Sequence, residues 1–400
     1  MTDTFQHHQG AQAFLVGETI YLRPIEKEDA KDSVALRDSV YPYSPERAEA
    51  WIKDEIAQEN PWDGTLRLAI RRKDDERIVG AATIAQGREF MRFEISSHIA
   101  PGYGARGLRW KAEAIALAVD FMMSERQAPM LRVRLPATEQ VVIDSLVQSG
   151  MRISVRLRER YMQSGKAVDE VILQAFNDAW VETMGDPGGQ VLERTGEGTP
   201  RPRPRIVAPV PVAPPNALVV GPRVYLRPYT EADIERYVRE DRFEMLEPFL
   251  PGRNLSMLPE ELHYHNEDEK ADIPGFIPLA VCLRETHAYI GEVALVNPDW
   301  INRTAETASW MLKEYRAQGY GSEAKHLLLD YAFNRLGLRM LESWVRYENT
   351  RSAAALRKQG YREAGTFCWT SYRSGQFTNF IVFDLLAREW QALARDQMHQ

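Results

Sequence analysis

The feature that most constrains this chain is a repeat of its own sequence. The segment VGETIYLRPIEKEDA, from Val16 to Ala30, matches VGPRVYLRPYTEADI, from Val220 to Ile234, and both contain Tyr-Leu-Arg-Pro. Further along, MLRVRL matches MLESWV and VQSGMR matches RKQGYR at a constant separation of 210 positions. Repeats of this length are too long for the units of a solenoid. The sequence therefore predicts two copies of one domain.

A proline- and glycine-rich stretch separates the two copies. It reads GDPGGQVLERTGEGTPRPRPRIVAPVPVAPP from Gly185 to Pro215. Prolines at this density deny the chain helix and sheet hydrogen bonds and favour an extended linker. We therefore predict an N-terminal domain over residues 1–183, a linker over 184–217 and a C-terminal domain over 218–400.

Each copy shows the same order of predicted elements, β-α-α-β-β-β-α-β-α-β-β. Ser44 followed by Pro45 is typical of a helix start, and Gly360 is typical of the position just after a helix end. The order predicts an α/β fold in each copy. We expect a mixed, mostly antiparallel sheet of about six or seven strands flanked by helices.

Composition excludes several classes of protein. The net charge of −7 argues against nucleic acid as the main partner. Two cysteines, Cys282 and Cys368, cannot build a disulfide framework or a zinc site. The N-terminus lacks the pattern of a signal peptide, and no apolar run approaches the roughly 20 residues of a membrane span. The sequence predicts a soluble cytoplasmic protein without membrane, nucleic acid or metal partners, and the pair His263 and His265 is not favoured as a metal site.

The stretch EYRAQGYGSEAK, from Glu314 to Lys325, carries the functional signal. A predicted strand over 305–312 runs through it into a helix. Backbone N–H groups at a helix start are unpaired and lie in positive potential, so they can bind an anion. Glycines let the backbone approach a pyrophosphate, and Arg316 adds a positive charge. The spacing fits neither the Walker lysine motif nor the dinucleotide fingerprint.

The pattern R-x-x-G-x-G between a strand and a helix resembles the acetyl-CoA pyrophosphate loop of the GNAT acetyltransferase superfamily. Together with YLRP, AETASWML, ENTRSAAALRKQGYREAG and LLAREW, it resembles the branch of ribosomal-protein N-terminal acetyltransferases. The resemblance covers Val220 to about Ala392 well and Val16 to about Trp180 in outline. It implies two tandem GNAT-like domains and acetyl-CoA as co-substrate.

The resemblance also implies site residues. The cofactor-binding positions would be Met311, Leu312, Arg316, Gln318, Gly319, Gly321, Ser322 and Asn349. Gln318, Gly319, Gly321 and Ser322 would donate backbone N–H groups to the pyrophosphate, and the strand around Met311 and Leu312 would pair with pantetheine amides. Asn349 would contact the pantetheine arm, and Ser352 would face the thioester.

Attack by an amine on a thioester needs a proton acceptor, donors for the oxyanion and a proton for the thiolate. Glu306 is our candidate base, and Ser352 is our candidate acid or thiol contact. Two structural alternatives stay open. Glu306 could lie on a solvated face or in an ion pair, and Ser352 could cap a helix over Ser352–Gln359. Tyr372, Cys368 and Trp369 could line the site, although core packing is favoured for each.

The first copy departs from this pattern. Aligned from the strand, GARGLR (Gly104–Arg109) falls on RAQGYG, so that Gly104 replaces Arg316 and Arg109 replaces Gly321. Downstream, Glu139 and Val142 stand where the second copy has Asn349 and Ser352. Glu94 is retained opposite Glu306. We therefore predict that the N-terminal domain is degenerate and does not catalyse transfer.

The acceptor is not readable from the sequence. The segment Met257–Asp272, with six carboxylates against one lysine, could attract a cationic amine or basic peptide, or could be a solvated helix face. Three functions compete: an N-acetyltransferase for a protein N-terminus or small amine, an acyltransferase that tailors an antibiotic or peptide, and a non-catalytic CoA-binding scaffold. The duplication predicts that the domains pair within one chain, and it leaves the oligomeric state open.

Overall fold

The computed structural model describes residues 13–36, 44–56, 65–86, 92–188, 214–243, 274–373 and 375–398. The chain divides into two compact units. The first contains residues 1–156, 170–191 and 367–379, and the second contains residues 157–169, 192–366 and 380–400. The units therefore differ from the sequence repeats, because each contains one segment that the other repeat supplies.

The described part of the first repeat forms a series of strands and helices. The strands are β1 (Leu15–Val16), β2 (Ile20–Pro24), β3 (Thr65–Arg72), β4 (Ile78–Gln86), β5 (Arg92–Ile99), β6 (Met130–Pro136), β7 (Arg152–Gln163) and β8 (Lys166–Phe176). The helices are α1 (Ser33–Leu36), α2 (Pro45–Trp51), α3 (Gly104–Ser124), α4 (Gln140–Gln148) and α5 (Asp178–Met184), with a 3-10 helix at Lys27–Asp32 and a π-helix at Ile52–Ile56. In the first unit the strand order is β1-β2-β3-β4-β5-β6-β8, and only the β5–β6 pair among these is parallel.

The second repeat has the same plan. Its strands are β9 (Val219–Val220), β10 (Val224–Arg227), β11 (Phe276–Leu283), β12 (Tyr289–Asp299), β13 (Thr304–Met311), β14 (Met340–Arg346), β15 (Arg362–Arg373) and β16 (Gln376–Leu386). Its helices are α6 (Glu231–Phe243), α7 (Tyr320–Asp330), α8 (Thr350–Lys358) and α9 (Ala387–Met398), with a 3-10 helix at Lys313–Tyr315 and a π-helix at Tyr331–Arg335. In the second unit the order is β9-β10-β11-β12-β13-β14-β16, and only β13–β14 among these is parallel. The predicted mixed, mostly antiparallel α/β fold is confirmed in both units.

The repeated Tyr-Leu-Arg-Pro motif is explained by a buried ion pair. In the first unit Arg23 donates from Nη1 and Nη2 to the two carboxylate oxygens of Asp29, at 2.8 and 2.7 Å. In the second unit Arg227 binds Asp233 in the same bidentate way, at 2.6 and 2.9 Å. A bidentate arginine–carboxylate pair fixes geometry as well as charge. The motif therefore ties strand β2 or β10 to the segment that follows it.

Helix ends explain three sequence predictions. The N-cap of α2 is Ser44, whose Oγ accepts the N–H of Arg47 at 3.3 Å, as predicted. Gly360 has φ of 92° directly after α8, as predicted for a left-handed C′ residue. The alternative that Ser352 caps a helix is wrong. The helix begins at Thr350, and Asn349 is its N-cap, with Oδ1 accepting the Ser352 N–H at 3.2 Å.

The core of each unit lies between its sheet and one helix, α3 in the first unit and α7 in the second. Helix α7 contributes the buried side chains of Ala324, Leu327 and Leu328 to the second unit's core. Helix α3 contributes Ile115, Ala118 and Met122 to the first unit's core. No helix in the described ranges is both long enough and apolar enough to cross a membrane. The acidic segment Met257–Asp272, with His263 and His265, lies outside the described residues.

Candidate active site

The turn before α7 has the backbone geometry of an anion site. Ala317 and Gly319 have φ of 61° and 84°, so both lie in the left-handed region. Alanine rarely adopts that conformation, and such strain is typical of functional turns. Gly321 lies against the end of β13, because a Cβ atom there would be 3.2 Å from Met311 Cγ. The first N–H groups of α7 precede its hydrogen-bond ladder and therefore remain available to a ligand.

Two arginines surround this turn. Arg316 Nε donates to the carbonyl of Met311 at 2.8 Å, which ties the turn to the end of β13. Arg223, just before β10, donates from Nη1 to the Gln318 carbonyl at 3.0 Å and lies over the Tyr320 ring. Arg223 was missed by sequence reasoning. Its signal was the replacement of Thr19 by Arg223 between otherwise similar segments.

The other predicted loop residues differ from one another in exposure and in hydrogen bonding. Gln318 is exposed, and its side chain donates to the Glu314 carbonyl at 2.7 Å. Ser322 lies in the first turn of α7. Leu312 is wholly buried, its N–H donates to Ile290 O at 2.9 Å, and its carbonyl accepts from Tyr315 N at 3.0 Å. The predicted pantetheine pairing at Leu312 is therefore not supported by its geometry, whereas Met311 does lie beside Gly321.

Strands β13 and β14 separate after a short parallel pairing. Their ladder joins Thr304 to Met340, Ala305 to Leu341 and Glu306 to Glu342, and goes no further. Beyond it, the Ser343 hydroxyl donates to the Thr307 carbonyl at 3.0 Å, and the Thr307 and Tyr361 hydroxyls lie 3.1 Å apart. Burial raises the pKa of the Tyr361 phenol, which therefore stays neutral and able to donate. The strands thus diverge from Glu306 toward the anion-binding turn.

Glu306 lies at the point where the two strands part, with another carboxylate beside it. Its register partner on β14 is Glu342, so both side chains leave the same face of the sheet. Lys325 on α7 is buried, and its charge interacts with that of Glu306. Burial lowers the pKa of Lys325 to about 7, and Glu306 partly opposes this shift. The candidate base therefore lies within a group of charged side chains.

Asn349 and Ser352 lie together at the start of α8. The Asn349 side chain is used as the helix cap, and Ser352 is half-buried in the first turn. Tyr347, directly after β14, is 59% exposed and lies next to this cap in sequence. The structure thus brings the two predicted residues together at the end of the diverging strand β14.

An aromatic and acidic group on β12, β13, α6 and the segment before α6 was also missed by sequence reasoning. Tyr229 Oη donates to Glu292 Oε2 at 2.6 Å and lies 3.1 Å from Tyr289 Oη. Tyr237 on α6 packs edge-on against Trp310, with ring centroids 4.9 Å apart. Trp310 is the register partner of Glu292 and lies on the same face of β13 as Glu306. No periodicity signal marks this group, because its members come from distant segments.

The first unit lacks the turn. Helices α3 and α7 can be aligned by two carboxylates that make the same contact. Glu113 Oε1 on α3 accepts the N–H of Thr19 at 2.8 Å, and Glu323 Oε1 on α7 accepts the N–H of Arg223 at 2.7 Å. This places Trp110 opposite Tyr320. Helix α3, however, already begins at Gly104. The residues that correspond to the turn before α7 are therefore helical, and from Gly107 onward their N–H groups donate within the helix.

The same alignment corrects the expectation about Gly321. Counted from the helix, Lys111 rather than Arg109 stands opposite Gly321. The first copy has two more residues than the second between the strand and this point, and they lie in α3, which begins earlier. Lys111 Nζ lies 2.7 and 2.9 Å from the carboxylate oxygens of Glu139, the N-cap of α4. Glu139 stands where the second copy has Asn349. An ion pair thus links the two positions that correspond to Gly321 and Asn349, the residues predicted to bind the cofactor in the second unit.

Glu94, the counterpart of Glu306, is held in a different way. Its register partner on β6 is Arg132, whose guanidinium contacts it directly. Arg134 Nε lies 3.9 Å from Glu94 and its Nη1 lies 3.2 Å from Glu170. The retained glutamate of the first unit is therefore a member of an ion-pair network.

Three hairpin residues considered as site linings belong to the first unit. Cys368 is buried, and its backbone N and O are bound by the Gln174 side chain at 3.0 and 2.8 Å. Trp369 stacks on Phe377, and Tyr372 packs edge-on against the same ring. Cys368 and Trp369 are thus core residues there. Among the described residues, no group of three or more histidine, cysteine or acidic side chains could hold a metal ion.

Comparison with known proteins agrees with this architecture. The family model for the acetyltransferase (GNAT) domain matches residues 19–151 and 223–362. Together these matches cover more than half of the chain, which defines it as a protein with two domains of the acetyltransferase fold. The chain belongs to the GNAT acetyltransferase domain family, as its sequence predicts.

Several relatives share parts of the sequence. The “Putative ribosomal N-acetyltransferase YdaF” of Bacillus subtilis (strain 168) is 32% identical over 101 residues, 25% of this chain and 55% of the relative. The spermidine N(1)-acetyltransferase of Escherichia coli (strain K12) is 28% identical over 176 residues, 42% of this chain and 89% of the relative. The spermidine N-acetyltransferase of Vibrio cholerae, solved with CoA and spermine, is 18% identical with a TM-score of 0.38 and covers 42% of this chain and 98% of its own. The first three curated relatives are matched over 55%, 62% and 65% of their lengths.

Proposed function

We propose that the chain is an N-acetyltransferase that transfers an acetyl group from acetyl-CoA to a primary amine in its second unit. The observation that carries this proposal is the path from the amide-lined turn at Gly319–Gly321 along the diverging strands to Glu306. The turn suits a pyrophosphate, because it combines unpaired helix-start amides with Arg316 and Arg223. The gap between β13 and β14 suits an extended pantetheine arm, whose amides need backbone partners.

The residues of the path support direct transfer. Glu306 accepts the proton of the attacking amine, directly or through a water molecule, as the new C–N bond forms. The C–S bond of the thioester breaks, and the thiolate takes a proton from a donor near α8, for which Ser352 is our candidate. Acetyl-CoA supplies the activated acyl group. The chain supplies position and proton transfer.

The acceptor is proposed only as a class. The net charge of −7 and the carboxylates of Glu292 and Glu306, with Trp310 on the same face, suit a cationic amine. The names of the relatives include ribosomal, tubulin and spermidine acetyltransferases. A polyamine and a peptide N-terminus are therefore the first acceptors to test, with a longer acyl group or an antibiotic-like amine as the alternative.

The test is calorimetric titration of acetyl-CoA into the full chain and into Gly321→Arg. An arginine side chain there would collide with Met311, since even a Cβ atom lies 3.2 Å from its Cγ. We expect one site in the parent and affinity reduced by about a hundredfold in the variant, because each lost bond to a charged group costs about 1.5–3 kcal/mol. Ala105→Arg is the matched control, since it adds the same side chain to the exposed first turn of α3.

The outcomes separate the competing functions. Two sites in the parent would mean that the first unit also binds acetyl-CoA. No binding would contradict the proposed function. Binding without turnover on any amine in the panel would favour a scaffold.

A further inference from the structure

One segment of the second unit comes from the first repeat. Residues 157–169, the end of β7 and the start of β8, belong to the second compact unit. Arg158 Nη2 lies 2.7 Å from Asp384 Oδ1, and its guanidinium also binds Glu389. Asp384 is fully buried, so this bond anchors the segment firmly. The Met162 N–H donates to Asn302 Oδ1 at 2.7 Å, at the turn before β13.

Arg160 lies between these two anchors and reaches strands β13 and β14. Its guanidinium donates to the hydroxyl of Thr304, a residue that is almost wholly buried. Its Nε lies 3.9 Å from Glu342 Oε1, and its Nη1 lies 3.7 Å from Asp299 Oδ2. The side chain is only 16% exposed. Arg160 is therefore held in place by both strands of the diverging pair.

These contacts place Arg160 beside the candidate base. Thr304 precedes Glu306 by two residues on β13 and so lies on the same face. Glu342 is the register partner of Glu306. Two adjacent carboxylates repel each other, and a nearby cation favours the ionised form that can accept a proton. Among the charged groups near Glu306, Glu342 is its register partner, Lys325 interacts with its charge, and Arg160 lies 3.9 Å from Glu342.

In the first unit the cation beside the corresponding glutamate comes from the same repeat. There Glu94 is paired with Arg132, and the residue of the second repeat that corresponds to Arg132 is Glu342. The arginine that one unit has on its own strand is thus replaced in the other by a carboxylate. Arg160 supplies a positive charge beside this carboxylate.

We propose that Arg160, supplied by the first repeat, is a positioning residue that keeps Glu306 ionised beside Glu342 in the second unit. This inference rests on the proposed function. It gives the first repeat a part in catalysis that needs no cofactor site of its own.

The experiment compares the full-length parent with Arg160→Gln, Arg160→Lys and Arg158→Gln. We expect Arg160→Gln to move the acid limb of kcat/KM up by about one pH unit, since an opposite charge within ~4–6 Å shifts a carboxyl by that order. Acetyl-CoA affinity stays unchanged. Arg160→Lys restores part of the shift, and Glu342→Gln in the Arg160→Gln background restores it by removing the repulsion. Arg158→Gln lowers the melting temperature and leaves the acid limb in place.

A second readout does not depend on activity. The titration of the Glu306 carboxyl carbon, assigned by its loss in Glu306→Gln, is followed by 13C NMR in the parent and in Arg160→Gln. We expect a higher midpoint in the variant. Equal midpoints, or an unmoved acid limb, would overturn the inference. A parent that fails to bind acetyl-CoA would contradict the proposed function, and the carboxyl titration would still decide the role of Arg160.

Discussion

Lys111 on α3 and Glu139 at the start of α4 form an ion pair in the first unit, where the second unit has Gly321 and Asn349. The two side chains are 13% and 20% exposed, so the pair is largely shielded from water. The pair joins α3 to α4. The corresponding helices of the second unit, α7 and α8, are the ones predicted to begin at the pyrophosphate and beside the pantetheine arm. In the first unit the extended start of α3 and this ion pair thus replace the turn and the N-cap asparagine of the second unit.

Lys111→Ala should therefore leave the number of acetyl-CoA sites unchanged. Removal of the pair restores no turn, because residues 104–110 remain helical in α3. We expect the free energy of unfolding to fall by about 1–3 kcal/mol, because the largely buried Glu139 carboxylate loses its partner. Calorimetric stoichiometry and thermal melting check both statements. A second binding site in the variant would contradict this account of the first unit.

Glu306→Gln should lower kcat by about a hundredfold or more, as expected for loss of a general base. Acetyl-CoA affinity should be unchanged, because the turn at Gly319–Gly321 is untouched. Steady-state kinetics with calorimetry measure both. Glu94→Gln is the matched control. It breaks the contact with Arg132 and should affect stability but not turnover. Full activity in Glu306→Gln would remove Glu306 from the mechanism.

Arg223→Gln should weaken acetyl-CoA binding by about tenfold, since a charged hydrogen bond contributes about 1.5–3 kcal/mol. The dependence of affinity on salt should also become weaker, because one cation near the pyrophosphate is lost. Arg335→Gln is the control, as Arg335 is exposed and follows the far end of α7. Equal affinities in the two variants would argue against a role of Arg223 in binding.

Lys325→Met should stabilise the protein more at low pH than at high pH. The pKa of Lys325 falls from 10.5 to about 7 in the folded state because of burial. Below about pH 7 both states carry the proton and the folded state bears the cost of a buried charge. As the pH rises from about 7 toward 10.5, the folded state releases its proton first and the wild type gains stability.

The gain in melting temperature from Lys325→Met should thus shrink as the pH rises from about 6 to about 10. One unit of pKa shift corresponds to about 1.4 kcal/mol, which sets the least difference expected. The corresponding residue of the first repeat, Ile115, is a fully buried apolar side chain, so the position accepts one. Exposed Lys358→Met is the control. A gain that is constant across pH would show that Lys325 titrates normally.

The sequence was informative where local chemistry decides the outcome. Glycines, caps and the duplicated Tyr-Leu-Arg-Pro motif predicted the elements, the two domains and the turn near Gly321, because each depends on neighbours in the chain. Arg223, Glu342 and Arg160 could not be predicted. Their roles depend on strand register and on contacts between residues far apart in sequence. The alignment of Arg109 with Gly321 was wrong because it was counted from the strand. Only the structure shows that the two additional residues of the first copy lie in α3.

Residues 157–169 and 367–379 each lie in the compact unit that the other repeat mainly forms, so the two copies cannot be separated cleanly. A single cut of the chain between residues 192 and 213 would leave each compact unit with parts from both fragments, so the fragments should copurify until they are denatured. Neither copy can be deleted as a whole without removing a segment of the other compact unit. The residues of the first copy that complete the second compact unit are therefore constrained by the folding of that unit, whether or not the first copy has an activity of its own.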